Sequence, residues 1–168
     1  MTTRPTTRPL RSRAPRQERE LAEQTSLFEF RDRFKRQYPE LTWLHSSLNG
    51  VRLTHAQAGK AKASGMTAGV WDVFLPVPRP ISFETWTTTL LPAGSIAPGL
   101  YIEMKAGRNG LTEHQEAYRA ALEPQGYRFV VCLDWIEAAR AILSYLGIDD
   151  PVLMDHLTLN TTEARPSE

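Results

Sequence analysis

The 168-residue chain has a single cysteine, Cys132, so it can form no internal disulfide and cannot build a four-cysteine zinc site. It has no apolar run near the roughly 18 residues a spanning helix requires, so no membrane partner is expected. The opening MTTRPTTRPLRSRAPRQ lacks the apolar centre of a secretory signal. With one thiol, that favours a reducing, cytoplasmic setting. There is no internal repeat. There is also little net charge, only +1.

That small net charge hides a division. Residues 1–19 hold six arginines and one glutamate, net +5, while the remainder holds 14 basic and 18 acidic residues, net −4. A basic arm on a mildly acidic body suits either a nucleic-acid contact or a solubility tail. Hydrophobic residues make up 41% of the chain, enough to fill one core and to exclude wholesale disorder.

Residues 1–17 alternate Thr, Arg and Pro, and prolines 5, 9 and 15 forbid a long helix, so a disordered basic arm is expected. A helix follows over about 18–37, with Leu27, Phe30, Phe34 and Tyr38 on one stripe. Tyr38-Pro39 ends it. Residues 41–45 read as a short strand closed by Asn49-Gly50, and 54–64 as a polar helix stopped at Gly65. Strands are expected over 70–75, 100–105 and 127–133, and the proline-rich 76–98 reads as a long connection or decorated hairpin. Gly107–Gly110 reads as a loop. Thr112 caps a helix to about 123, and Asp134 caps a last helix with Ile136, Ala139, Leu143 and Leu146 inward. The body thus runs over 18–147, and 148–168 reads as a polar C-terminal tail, frayed over its last nine or so residues. Helix, strand, helix, strand, strand, helix, strand, helix is an α/β order: a mixed sheet flanked by helices.

Chemistry concentrates on two strands. In 100–105, Leu100, Ile102 and Met104 share one face, and Tyr101, Glu103 and Lys105 share the other. An exposed face with an ion pair would account for the second set. Asp72 changes the odds, because it interrupts an otherwise apolar strand and a buried carboxylate there wants a cation. If the strands pair, Asp72 and Glu103 converge beside Lys105. Two carboxylates without His or Cys form a hard-oxygen site suited to Mg²⁺ or Mn²⁺ and not to zinc. Such a metal can hold a phosphate oxygen and activate water, while a lysine stabilises developing negative charge.

These residues resemble a known signature. Asp72 followed by Glu103-Met104-Lys105 is similar to the PD-(D/E)xK nuclease pattern. The wider order is similar to a standalone VRR-NUC domain over about residues 20–146: Glu23-Gln24, His45-Ser46-Ser47-Leu48-Asn49-Gly50, Gly65 to Asp72, Tyr101 to Lys105, Leu111-Thr112-Glu113-His114-Gln115 and Gly126-Tyr127. The resemblance implies a restriction-endonuclease-like fold and metal-dependent hydrolysis of DNA phosphodiesters. It implies that Asp72, Glu103 and Met104 belong to the metal site and that Glu23, with Glu20 as its rival, is the first-helix acid that completes that metal site, directly or through water. It implies that Lys105 positions or polarises water and that Gln115 stands beside that lysine. Gln115 also has the spacing of a capping box with Thr112. Two departures are visible. The family often has proline before the aspartate, where this chain has Trp71, a residue expected to face away from Asp72 in an alternating strand. The insertion at 76–98 is the other.

His45 reads as a strand-end histidine, with a DNA or water contact as the alternative. His55 and His114 read as solvent residues, and Lys60 and Lys62 as surface or phosphate contacts. The expected function is a Mg²⁺- or Mn²⁺-dependent endodeoxyribonuclease, structure-selective, with four-way (Holliday) junction resolution favoured and a homodimer presenting two active sites. A flap nuclease and a catalytically silent DNA-binding or assembly protein are the alternatives.

Overall fold

The computed structural model describes residues 15–47, 54–80, 94–105, 107 and 110–164. The expectations for most of the basic arm, for Asn49-Gly50, for the middle of the proline-rich stretch and for the extreme C-terminus lie outside these residues. Helix α1 (Arg16–Phe34) leads through a 3₁₀ turn, Pro39–Trp43, into β1 (His45–Ser46). Then come α2 (His55–Ala63), β2 (Val73–Leu75), β3 (Arg79–Pro80), β4 (Ile96–Ala97) and β5 (Leu100–Met104). Helix α3 (Glu113–Leu122), β6 (Arg128–Cys132), α4 (Trp135–Leu146) and α5 (Pro151–Ala164) complete the helices and strands among the described residues.

The main sheet has the order β1-β2-β5-β6. β5 is central, antiparallel to β2 with Val73 opposite Ile102, and parallel to β6 with Met104 opposite Cys132. The mixed sheet expected from the sequence is therefore present. One face carries Val73, Leu75, Leu100, Ile102, Met104 and Cys132 into a core closed by Leu27 and Phe30 of α1 and by α4. Burial pushes the Cys132 thiol up to about 12, so this cysteine is a core residue, as its mid-strand place suggests. Asp134 caps α4 by accepting the Glu137 N–H at 2.8 Å, and Gly147 ends it in the left-handed conformation, φ 70°.

Three expectations change. The strand over 41–45 is mostly a 3₁₀ turn, because Pro39 sits at its start and burial follows a spacing of three: Leu41 and Leu44 are inside. A strand would have hidden Trp43 with Leu41 on one face, yet Trp43 is 63% exposed. The strand over 70–75 pairs only from Val73, with the chain bending at Asp72. The polar tail is corrected most. Pro151–Ala164 is a helix that inserts Leu153 and Leu157 into the core, an i, i+4 pair that overall polarity concealed. Asp150 caps its start, accepting the N–H groups of Val152 and Leu153.

The proline-rich stretch does behave as a hairpin at its base, where β3 and β4 pair antiparallel. The Tyr145 hydroxyl of α4 donates to the Val77 carbonyl at 2.7 Å, and Arg79 pairs with Glu40 at 2.9 Å. These bonds anchor the insertion to the body.

The core role of α5 has a direct check. Leu157 is fully buried. Leu157→Ala should therefore destabilise the protein by about 2–5 kcal/mol, the range for emptying a packed leucine site. Urea unfolding measures it, and a loss below about 0.5 kcal/mol would mean α5 is peripheral, since substitutions away from such features stay in that range.

Candidate active site

The site forms where the C-terminal end of β5 meets the N-terminal end of β2. Since Val73 pairs with Ile102, Asp72 falls one step past the ladder, level with Glu103. Antiparallel pairing thus does what the separate strands suggested, bringing both carboxylates to one place. The Met104 N–H donates to Asp72 Oδ2 at 3.0 Å and fixes that side chain.

The second face of β5 is not the solvent-exposed face that a simple ion pair would occupy. Glu103 is 2% and Lys105 5% exposed. Lys105 Nζ lies 2.8 Å from Glu103 Oε1. Gln115 closes a triangle: its Nε2 donates to Glu103 Oε1 at 2.5 Å, and its Oε1 accepts from Lys105 Nζ at 3.2 Å. The same Oε1 accepts the Thr112 N–H at 3.0 Å, while Thr112 Oγ1 accepts the Gln115 N–H at 3.3 Å. Gln115 is therefore a capping-box residue and a partner of the ion pair together, so the two readings of its spacing are one device.

Glu103 Oε2 is buried and has no hydrogen-bond partner. A buried carboxylate oxygen without a donor is costly. Burial, then the nearby charge of Glu103, raise the Asp72 carboxyl to about 6, against partial relief from the Met104 N–H and Lys105. Both observations describe a place short of positive charge. The donor set fits Mg²⁺ or Mn²⁺, because such ions take one or two protein carboxylates and keep several waters. Among the described residues no group of three or more His, Cys, Asp or Glu side chains could hold a metal. Met104 buries its thioether in the opposite core, so only its main chain can serve the site.

Glu23 is bonded outside this cluster. Its Oε2 accepts the Trp135 N–H at 3.0 Å, tying α1 to the start of α4. The α1 acid whose charge reaches Asp72 is Glu20, one helical turn earlier, itself paired with Arg16 at 2.8 Å. Helical spacing puts both acids on one stripe, which is why the sequence could not separate them.

Trp71 also departs from expectation. The bend at Asp72 breaks strict alternation, so Trp71 lies on the same side of the sheet as the site, 4.8 Å from the Phe129 ring. It joins an aromatic row across the strands that the sequence reading missed. His45 meets Phe74 edge-on at 5.6 Å, Phe74 stacks on Tyr101 at 4.2 Å, and Tyr101 stacks on Phe129 at 5.1 Å. Residues at matching strand positions were the available signal. His45 is a satisfied strand-end residue, its Nδ1 2.9 Å from the Trp43 carbonyl, and His114, Lys60 and Lys62 are exposed. The His55 side chain is outside the described set.

No family model matches the chain, and no curated protein matches it. A solved structure named "VRR_NUC domain protein" is similar at 24% identity and a TM-score of 0.54, covering 78% of this chain and 90% of that one. The likeness establishes the fold, which in this chain is a mixed sheet flanked by helices. Among the described residues no helix is long and apolar enough to cross a membrane.

Asp72 has a thermodynamic signature. Its folded carboxyl titrates near 6, well above an ordinary aspartate. As pH rises from about 4 to about 6, the unfolded chain releases this proton first, so the fold loses stability over that window. An asparagine at this position has no proton to lose. In chelator, Asp72→Asn should equal the wild type near pH 4 and exceed it above pH 6 by about 1–3 kcal/mol, at about 1.4 kcal/mol per pH unit. Thermal unfolding across pH tests this; equal stability at pH 7.5 would contradict the assigned environment.

Proposed function

We propose that the protein is a metal-dependent endodeoxyribonuclease. The observation that carries the reading is the cluster of buried Glu103 and Lys105 with half-buried Asp72 and Gln115, in which one carboxylate oxygen is left unbonded. The VRR_NUC name of the similar structure supports the same chemistry.

In this reading Asp72, Glu103 and the main chain at Met104 hold Mg²⁺ or Mn²⁺, with Glu20 replacing Glu23 as the α1 acid near the site. Bound there, the ion supplies Lewis-acid polarisation of the phosphodiester and a lowered pKa for water. The chain's own residues do the rest. Lys105 stabilises negative charge as it develops and positions the attacking water. Gln115 holds Lys105 in place from one amide group.

Four-way junctions are the substrate form we favour, cleaved by a homodimer that offers one site to each of two strands. The decisive experiment presents labelled duplex, flap and four-way junction DNA with and without Mn²⁺. The Glu103–Lys105 pair is buried, so Lys105→Ala would strand a carboxylate and lose several kcal/mol of stability. Lys105→Gln keeps a donor for Glu103 and is the better variant. It should remain folded, bind DNA and cleave at least about 10²-fold more slowly. Near-normal cleavage would remove Lys105 from catalysis. No cleavage of any form by the wild type, despite tight binding, would favour the silent DNA-binding protein.

The basic arm supplies a separate test. Arg16 and Arg19 belong to α1, so the segment to delete is 1–14, with four arginines. Each neutralised phosphate contributes about −0.9 to the slope of log K against log salt, so deletion should flatten the slope by up to roughly 3–4. A salt titration of the Lys105→Gln protein, full-length and truncated, reads this. Identical slopes would make the arm a solubility tail.

A further inference from the structure

Residues 69–71 fasten the chain that delivers Asp72 to the helix that delivers Gln115. Two independent contacts do so. A Cβ at Gly69, where φ is +82°, would stand 2.2 Å from the His114 carbonyl oxygen, so only glycine allows the segment to lie this close to α3. Two residues on, the Trp71 indole Nε1–H donates to the main-chain carbonyl of Gln115 at 3.2 Å. Trp71 is 1% exposed and held edge-on by Phe129. A buried indole seeks a partner for its N–H, and here that partner belongs to the residue bridging Glu103 and Lys105.

Asp72 and Gln115 come from segments far apart in the chain. Asp72 is tied to β5 through the Met104 N–H, and Gln115 through Glu103 and Lys105. The Trp71 bond runs directly between the two outer segments, independently of the ion cluster. The geometry points to Trp71 as a positioning residue: its indole N–H sets the Gln115 amide, and through it Lys105, against the carboxylate of Asp72. This rests on the nuclease reading of the cluster and adds a residue that touches none of the reacting atoms.

A displacement of about 1 Å in a catalytic group can slow a reaction about 10²-fold. The clean variant replaces Trp71 with 3-benzothienylalanine, which keeps ring size and substitutes sulfur for the N–H; Trp71→Phe is its genetic counterpart. In the benzothienyl protein, turnover of the best DNA substrate should slow by about 10- to 100-fold. KM for DNA and Tm should stay within about twofold and within about 2 °C, since ring packing is retained. In a Gln115→Ala background the same replacement should change turnover less than about twofold, because coupled residues lose their effect together. Unchanged turnover, or the full loss repeated in that background, would overturn the proposal.

A second readout does not depend on cleavage. The Gln115 side-chain amide resonances should move in the benzothienyl protein, while those of the exposed Gln57 should not. Unmoved Gln115 resonances would also overturn the proposal. If the wild type cleaves no DNA, the nuclease reading fails, and the amide resonances alone decide whether Trp71 positions Gln115.

Discussion

Taking a lysine and a glutamate out of water together is the constraint on which the site depends. The penalty is several kcal/mol per ion, and attraction offsets it only where geometry is good and remaining hydrogen-bonding capacity is met. Lys105 and Glu103 meet at 2.8 Å, and one amide, that of Gln115, bonds to both. That amide also closes the α3 capping box. The start of α3 is therefore fixed by the same atoms that hydrogen-bond to the buried pair. Local helix chemistry and long-range electrostatics are satisfied in one place, and neither can shift without the other.

The satisfaction is incomplete in a particular way. Glu103 Oε2 has no donor, and Asp72 is pushed up to about 6 by its surroundings. A cluster selected only for stability would replace these carboxylates with apolar residues. Stability is instead surrendered at the two oxygen-bearing groups that face each other across the β2–β5 boundary, while Lys105 and Gln115 each bond two side chains or more. Such a division is characteristic of functional sites, where a local rule is broken and the surrounding fold holds the break in place.

Much of this was legible in the sequence because it follows from short-range rules. The alternation in 100–105 separated the core face from the Glu103 and Lys105 face, and a lone Asp in an apolar run marked Asp72. Thr112 and Asp134 announced the helix starts. What escaped depended on tertiary placement. Leu153 and Leu157 were grouped with the polar residues that flank them near the end of the chain, and only the packed partner shows that this pair belongs to the core. Glu20 and Glu23 share a helical stripe, and only the packed structure shows that Glu23 bonds the Trp135 N–H of α4. Trp71 was assigned the wrong side because alternation was extended through a bend.

That bend is what allows consecutive residues to serve one side of the sheet. In a regular strand Trp71 and Asp72 would point to opposite faces. The chain bends at Asp72 before the ladder begins at Val73, so the indole turns toward α3 and Phe129 while the carboxylate turns toward Met104 and Glu103. The glycine at 69 extends the same logic backwards, since its missing side chain lets the approaching chain rest on the His114 carbonyl. The close approach at Gly69, the indole bond at Trp71 and the bend at Asp72 therefore share one consequence. The acid is delivered from β2 already referenced to the helix that holds the amide, and the two segments need no flexible side chain to find each other.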